Sequence, residues 1–174
     1  MRKRLILIFM TLCLTEVCSC RDEQIMSFTN YEGKELNIGF VGVPPKEDND
    51  NINFIQITLS DMGRANDFDA IFISRENLED ADNDQYTKLY IECKLPIVFI
   101  GTIKGILPFM NDDISYADAP VTSQYTFATG VFYINGEKVI FEFSDMKENG
   151  HSVKASNEEI YVEILTTISD NNLK

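Results

Sequence analysis

The sequence predicts an α/β fold, with a small partly parallel sheet, flanking helices, a C-terminal antiparallel hairpin and a closing helix. Three observations support it. Between residues 68 and 101, an apolar run, an amphipathic stretch and a second apolar run follow one another, as is typical of a βαβ unit with parallel strands. Asn135-Gly136 separates two strand-like runs and indicates a hairpin. Ser156 and Glu159 have the spacing of a capping box before a last helix.

Four apolar runs predict the strands of the first half. Residues 36–43 form a compact apolar run that Pro44-Pro45 ends, and residues 52–59 mostly alternate between apolar and polar side chains. Residues 68–74 form the most apolar run, and residues 96–101 follow as the fourth. Runs of this length and composition favour buried strands.

One helix is predicted between the third and fourth strands. Tyr86, Leu89, Tyr90 and Cys93 fall at the positions i, i+3, i+4 and i+7 and would form one apolar stripe. Asp82 or Asp84 is the expected N-cap. Because Cys93 belongs to this stripe, we expect it to be a core residue rather than a reactive thiol.

The last third predicts an antiparallel edge and a closing helix. Residues 125–134 and 137–143 flank the Asn-Gly turn. In the second of these strands Val139, Phe141 and Phe143 share one face, and Lys138 and Glu142 share the other. The closing helix presents one packing stripe, formed by Ile160, Tyr161, Ile164, Leu165 and Ile168. The domain would therefore have two or three layers, with helices packed on one or both faces of the sheet.

Composition indicates one acidic globular domain. The chain has 174 residues, of which 44% are hydrophobic, with 12 Phe and 7 Tyr, enough to bury a core. It has 15 Lys and Arg against 28 Asp and Glu, a formal charge of -13. We therefore do not expect the protein to bind nucleic acid, because neutralising phosphates requires clustered basic residues.

The first residues have the layout of a secretory signal. Arg2, Lys3 and Arg4 precede residues 5–14, which carry no charge. A helix needs about 20 apolar residues to cross a bilayer, so this segment is too short. A buried N-terminal helix or strand is the alternative interpretation.

The end of this leader resembles the lipobox of bacterial lipoproteins. In Val17-Cys18-Ser19-Cys20, an aliphatic residue stands at position −3 and a small residue at −1, followed by cysteine. The resemblance implies diacylglyceryl attachment to the Cys20 thiol, cleavage between Ser19 and Cys20, and often acylation of the new amino group, for example by palmitate. Cys18 is a second candidate, but Val17 would then occupy the position that requires a small residue. A secretory signal without lipid is the alternative.

This interpretation divides the chain into a signal peptide at residues 1–19, a lipidated tether at 20–34 and a single α/β domain at 35–174. Cys93 would be the one thiol left, so no intrachain disulfide is expected. Removing residues 1–19 takes away three basic residues and Glu16 and leaves a formal charge of -15. Such a domain would be held away from an anionic membrane, with the lipid as its attachment.

Motifs for catalysis or metal binding are mostly missing from the sequence. There is no P-loop, no G-x-G-x-x-G and no G-x-S-x-G. His151, the single histidine, lies in a stretch that is predicted to be a loop, and we expect it to be exposed and inert. The acidic runs 80–84 and 48–50 lack the glycine and glutamate of an EF-hand and are interpreted as solvated loops. No catalytic, cofactor-binding or metal-binding residue is therefore assigned.

Polar residues do collect where the parallel strands should end, which is the edge at which open α/β sheets bind ligands. Arg75 and Lys104 could bind an anion there, although pairing with nearby carboxylates is the simpler expectation. The other residues expected at this edge are Ser74, Glu76, Thr102, Asn111, Asp112, Asp113 and Asp118.

The predicted function is that of a lipid-anchored protein on the extracytoplasmic face of the cell membrane. The chain is similar to the small lipoproteins of unknown function of Gram-positive bacteria, and the resemblance implies a membrane partner through Cys20. A non-catalytic module that binds a ligand or an envelope protein is the first hypothesis. An envelope hydrolase that uses carboxylates of the strand-end loops is the alternative. A ligand-capturing transporter component is disfavoured, because the chain would supply only one of two lobes.

Overall fold

The computed structural model describes residues 26–144, 146–148, 151–153 and 155–171. The strands are β1 Leu36–Val41, β2 Ile52–Ile57, β3 Ala70–Ile73, β4 Ile97–Ile100, β5 Thr126–Ile134, β6 Glu137–Ser144, β7 Met146–Glu148 and β8 His151–Val153. The α-helices are α1 Leu78–Ala81, α2 Asp84–Glu92, α3 Leu107–Met110 and α4 Asn157–Asp170, and two 3-10 helices span Leu59–Asp67 and Arg75–Asn77.

The first six strands form one mixed sheet in the order β2-β1-β3-β4-β5-β6. Strands β1 to β4 are parallel, whereas β5 pairs antiparallel with β4 and with β6. The predicted α/β fold is thus confirmed, including the parallel β3-helix-β4 unit and the antiparallel hairpin. Strands β7 and β8 pair only with each other in the described part of the chain.

Alternate residues of the central strands supply two separate cores. In β3, Ala70 and Phe72 face one core, while Ile71 and Ile73 face the other. Helix α4 covers the first face and the 3-10 helix after β2, together with α1, α2 and α3, covers the second. The central strands read as nearly continuous apolar runs because both faces are buried.

The sequence signals at the C-terminal half hold in the structure. Asn135 and Gly136 have φ angles of 52° and 88°, as the tight turn between β5 and β6 requires. The Ser156 side chain accepts the Glu159 N–H at 3.2 Å, and the Glu159 carboxylate accepts the Ser156 N–H at 2.7 Å. The predicted apolar stripe of α4 is buried.

The start of α2 differs from the expectation. Its N-cap is Asn83, whose side-chain oxygen accepts the Gln85 N–H at 3.2 Å, and not Asp82 or Asp84. The Asp82 carboxylate instead accepts the main-chain N–H of Tyr116 in the loop after α3. A tertiary hydrogen bond has therefore taken the acceptor that the local pattern assigned to the cap.

Strand β2 also ends earlier than residue 59. The Asp61 carboxylate accepts both the N–H of Thr58, at 3.0 Å, and its hydroxyl, at 2.6 Å. This local cap turns the chain into the 3-10 helix directly after Ile57.

The predicted tether at 20–34 is partly wrong. Phe28 is 0% exposed and Tyr31 is 2% exposed, and both belong to the core under α4. The ring of Phe28 lies 5.9 Å, between centroids, from the rings of both Phe54 and Tyr161. The folded region therefore begins by Phe28, before the predicted boundary at 35. The signal peptide at 1–19 and residues 20–25 lie outside the described residues.

Candidate binding cleft

The residues that carry the lipobox resemblance, Val17, Cys18, Ser19 and Cys20, lie outside the described residues. Within the described ranges, none of the helices has the length and apolar character that crossing a membrane requires.

A cleft of about 530 Å³ opens at the carboxyl ends of β1 and β2. Its walls are the ends of these strands, the start of the 3-10 helix after β2, and the segment that contains α1 and the start of α2. The lining residues are Val41, Gly42, Gln56, Ile57, Thr58, Leu59, Ser60, Asn77, Asp80, Asn83, Gln85 and Tyr86. This is the edge where open α/β sheets bind ligands.

The chain leaves this edge in two directions, which opens the cleft. The connection after β1 runs to the side of α4, where Asp48 and Asn49 bond to the segment around Phe28. The segments after β2 and β3 pass to the opposite face and join the second core. Strand ends whose connections diverge leave a crevice between them.

Gly42 shapes the floor of the cleft. Its φ angle is +120°, a conformation that side chains with a Cβ rarely adopt. A Cβ at this position would lie 2.3 Å from the Ser74 hydroxyl oxygen and 2.9 Å from the Ser74 Cβ. Only glycine therefore lets the end of β1 approach the end of β3 this closely.

Hydrogen bonds within the protein orient the polar side chains of the cleft. Asn77 donates its amide N–H to the Ser74 hydroxyl at 2.9 Å, and this fixes the amide plane. The Asn83 oxygen is used in the α2 cap. The carbonyl oxygen of Asn77 and the amide nitrogen of Asn83 thus remain as an acceptor and a donor for a ligand.

The hydroxyl groups of Thr58 and Ser60 lie 2.8 Å apart on the opposite wall. Because Thr58 donates to Asp61, it accepts from Ser60 or from a ligand. The hydrogen bonds from Thr58 hold the pKa of the Asp61 carboxyl below its ordinary value, with a smaller contribution from Arg64.

The cleft has little charge although the protein is strongly acidic. Asp80 is the one ionisable carboxylate or ammonium residue among the lining residues, and amide and hydroxyl side chains supply the other polar groups. Tyr86, which is half-buried and packs 6.4 Å from the ring of Tyr90, adds an aromatic surface. Such a lining suits a ligand that is neutral and rich in hydroxyl or amide groups.

Most of the predicted strand-end residues have structural roles. The Lys104 ammonium donates to the carbonyl oxygens of Tyr116 and Ala117, the latter at 2.8 Å, and lies 5.0 Å from the Tyr116 ring centre. Thr102 is 0% exposed and bonds within its own turn to Gly105 and Lys104. Ser74 supports Asn77, as described above. The predicted anion site is therefore not assembled around Lys104.

Arg75 and Glu76 are exposed and lie in the short 3-10 helix after β3, outside the cleft lining. Gly101 allows the close approach of Arg75, because a Cβ at Gly101 would lie 2.9 Å from the Arg75 Cβ.

The acidic loop after α3 is folded on itself. Asn111 accepts the Asp113 N–H at 2.9 Å, and the Ser115 hydroxyl donates to Asp118 at 2.8 Å. Asp112 and Asp113 are exposed. Among the described residues, these carboxylates do not form a group that could hold a metal ion. The loop is attached to Lys104, in the connection before α3, and to Asp82, at the end of α1.

The two acidic runs also differ from each other. In the run 80–84, burial raises the pKa of Asp82, partly opposed by the hydrogen bond from Tyr116. The loop at 48–50 is exposed at Asp48 and Asp50, as predicted, and Asp48 and Asn49 also hold the segment around Phe28. In the described ranges, no three His, Cys, Asp or Glu residues are grouped so as to hold a metal ion.

His151 is not in a loop, contrary to the expectation. It begins β8 and pairs with Glu148 of β7. In the sequence, Asn149-Gly150 stands between these two residues. It is a second hairpin signal, which the sequence analysis did not use.

Cys93 is partly buried against the second core, as its helical spacing predicted, and burial raises the pKa of its thiol.

A second groove of about 630 Å³ lies between the N-terminal segment and the start of α4. Two of its three glutamates are engaged in the fold: Glu158 accepts the Ser27 N–H at 3.3 Å and Glu159 belongs to the capping box. The groove is therefore a weaker candidate than the cleft at the strand ends.

The sequence pattern did not single out most of the cleft residues. Thr58 and Ser60 follow an apolar strand and could have been noticed as strand-end polar residues, but Gln56 and Asn83 gave no local signal.

The comparisons with known proteins found no relative. No family model matches the chain, and neither the curated proteins nor the solved structures contain a significant match.

Proposed function

We propose that this chain is a lipid-anchored, extracytoplasmic binding module, and that its cleft at the ends of β1 and β2 binds a neutral ligand rich in hydroxyl or amide groups. The observation that carries the ligand class is the lining of the cleft, in which amide, hydroxyl and aromatic groups surround the single carboxylate of Asp80. Anionic ligands are disfavoured, because Asp80 and the formal charge of -15 that remains without residues 1–19 repel them.

The proposal of an anchor rests on the leader, where the lipobox-like Val17-Cys18-Ser19-Cys20 follows a basic start and a short apolar segment. Two acyl chains give stable attachment, whereas one chain exchanges. The folded region supports a short connection: the Met26 N–H already donates to the Lys46 carbonyl oxygen at 3.1 Å. A chain from Cys20 to Met26 reaches at most about 20 Å. The domain would therefore lie nearer the bilayer than a tether at 20–34 would place it, although its negative charge opposes contact with anionic lipid.

The anchor is tested by mass spectrometry of the N-terminal peptide of the protein purified from membranes. We expect a diacylglyceryl adduct on Cys20 and loss of residues 1–19. Cys20→Ala should abolish both, while Cys18→Ala, the matched control, should leave both intact. Lipid on Cys18, or a mature chain that retains its leader, would contradict the proposal.

Ligand binding is tested with soluble oligomers of N-acetylglucosamine as a neutral probe that carries hydroxyl and amide groups. Calorimetry should show saturable binding, and Gln56→Ala should weaken it because Gln56 lines the cleft. Asn53→Ala is the control, since Asn53 is exposed on the same strand outside the cleft and bonds to Asn37. Equal binding by both variants, or no binding by the unaltered protein, would reject this ligand class for the cleft.

An envelope hydrolase is the alternative function, and the geometry favours it less. It would need carboxylates that converge on one point, whereas Asp118 bonds within its own loop and Asp82 is used to hold Tyr116. The same preparation of the protein, incubated with the oligomers, would release shorter products if the alternative were right.

A further inference from the structure

We propose that the outer edge of β6 pairs with β6 of a second copy of this chain, antiparallel and about a two-fold axis through Ile140. This inference is independent of the cleft and of the lipid anchor. In the described part of the chain, β6 has β5 on one side and no strand on the other. A long edge strand is a template for pairing with another strand.

The hairpin determines which main-chain groups of β6 face outwards. A two-residue turn makes Ile134 and Glu137 a hydrogen-bonded pair, and hydrogen-bonded pairs alternate along an antiparallel ladder. Residues 137, 139, 141 and 143 therefore bond to β5. The N–H and carbonyl groups of Lys138, Ile140 and Glu142 point away from β5, towards the open edge.

These three residues are complementary to themselves when the strand is reversed. Pairing through Ile140 places Lys138 opposite the partner's Glu142 and Glu142 opposite the partner's Lys138. Each of these pairs, and the pair of isoleucines between them, would exchange two main-chain hydrogen bonds, about six in all. Opposite charges directly across a ladder stabilise it, whereas like charges oppose it.

The apolar side chains support the same register. Ile140 is 54% exposed and Val139 is 36% exposed, although both lie in a regular strand. In the proposed register the two copies of Ile140 cover each other, and Val139 lies opposite the partner's Phe141, which is half-buried. The dimer would remove exposed apolar surface from water on both faces of the edge.

Lys138 can make the new contact without losing its present one. Its ammonium group donates to the Tyr90 carbonyl oxygen at 2.7 Å, at the end of α2. An ammonium group has three N–H donors, so a second bond to the partner's Glu142 is compatible with the first.

The opposite edge of the sheet lacks this complementarity. Strand β2 has the sequence INFIQI and carries no charged residue, so no antiparallel register is selected by charge. Charged residues on an edge usually prevent pairing with foreign strands. In other antiparallel registers of β6 with its own copy, Lys138 and Glu142 would not face each other. In the register through Ile140 they do, so the charges favour this register.

The test measures the mass of the purified protein, kept in detergent, by light scattering between about 1 and 100 µM, the range expected for a small edge interface. The unaltered protein should reach twice the monomer mass. Glu142→Lys should weaken the dimer at least about tenfold, because two attractive pairs become repulsive. Lys138→Glu should do the same.

Mixing these two variants is the decisive measurement. In a mixed dimer each residue 138 again faces an opposite charge at position 142, so the mixture should recover the dimer mass although each variant alone is weakened. A mixture that stays monomeric would overturn the register, and so would Glu142→Lys chains that associate as strongly as the unaltered protein. An unaltered protein that is monomeric throughout would overturn the proposal.

A second pair of variants covers the possibility that Lys138→Glu does not fold after losing its bond to Tyr90. Ile140→Pro replaces the isoleucine side chain and removes one main-chain donor, the outward-facing N–H, and edge strands accept proline at such a position. It should yield a monomer with an unchanged circular dichroism spectrum. Ile140→Thr, which keeps the N–H, should still dimerise, and equal association of the two variants would overturn the proposal.

Discussion

The side-chain amide of Asn49 donates to the carbonyl oxygen of Phe28 at 2.8 Å, across 21 residues of sequence. The same amide group donates to the Tyr31 carbonyl oxygen at 3.0 Å, and the neighbouring Asp48 accepts the Phe28 N–H at 2.8 Å. The loop between β1 and β2 thus holds the N-terminal segment against α4. The side chain of Phe28 completes the core there.

Replacing Asn49 should therefore loosen this segment. Asn49→Ala leaves main-chain carbonyl groups without their donor and should lower the free energy of unfolding by about 1–3 kcal/mol. Asp50→Ala is the matched control, because Asp50 is the exposed next residue of the same loop. Urea titration followed by circular dichroism measures both. Equal midpoints for the two variants would show that the contact does not stabilise the fold.

Gly42 should tolerate no side chain. Gly42→Ala places a Cβ 2.3 Å from the Ser74 hydroxyl oxygen at a φ of +120° and should cost about 1–3 kcal/mol of stability. Gly63→Ala is the control, since a Cβ there meets nothing within 4 Å. We expect Gly63→Ala to be neutral or slightly stabilising. Thermal unfolding of both variants compares them, and similar midpoints would contradict the strain at Gly42.

Asp82 should make stability fall as the pH rises. Burial raises its pKa in the folded state above the ordinary value of 3.8, so the folded state binds this proton more tightly than the unfolded state. Its contribution is most favourable below pH 3.8 and is lost as the pH rises through the raised value. Asp82→Asn, which does not titrate, should gain stability relative to the unaltered protein over this range.

Asp61 provides the control of opposite sign for this measurement. Hydrogen bonds from Thr58 lower its pKa in the folded state, so its contribution is present above pH 3.8 and is lost as the pH falls through the lowered value. The stability difference between the unaltered protein and Asp61→Asn should therefore grow with pH. Urea titrations between about pH 3 and 7 follow both differences across the range of carboxylate titration. Parallel trends for the two variants would contradict the assignment.

Cys93 should react slowly with thiol reagents. Burial raises its pKa and reduces the thiolate, which is the reactive form. We expect iodoacetamide at neutral pH to label Cys93 more than tenfold faster in urea than in the folded protein, as measured by peptide mass spectrometry. Cys93→Ser identifies the peptide. Equal labelling rates in both conditions would show that the Cys93 thiol is as accessible and as reactive in the folded protein as in urea.

Local patterns predicted the elements whose stabilising contacts lie close in sequence. Asn135-Gly136 adopts the positive φ angles of a hairpin turn, and Ser156 and Glu159 close their capping box within one helical turn. The N-cap of α2 could not be predicted in the same way. Asp82 and Asn83 are both suitable residues, and the distant Tyr116 N–H decides which of them is left for the helix.

The N-terminal segment illustrates the same limit. Residues 21–34 are polar with scattered apolar side chains and show no period, so nothing local indicates that they fold. Phe28 is nevertheless 0% exposed, because a pocket formed by Phe54, Tyr161 and neighbouring side chains accepts it. A single buried aromatic ring has no periodicity to detect.

The sequence by itself determined the order of the six strands of the main sheet and of helices α2 and α4, because hydrophobic periodicity, capping and turn residues act over a few positions. The tertiary structure decided which strand-end side chains share a cleft. It brought Gln56, Asn77 and Asn83 together and used Lys104 to hold a loop instead. These groupings depend on the paths of the segments that connect the strands. The spacing of residues within one element does not predict those paths.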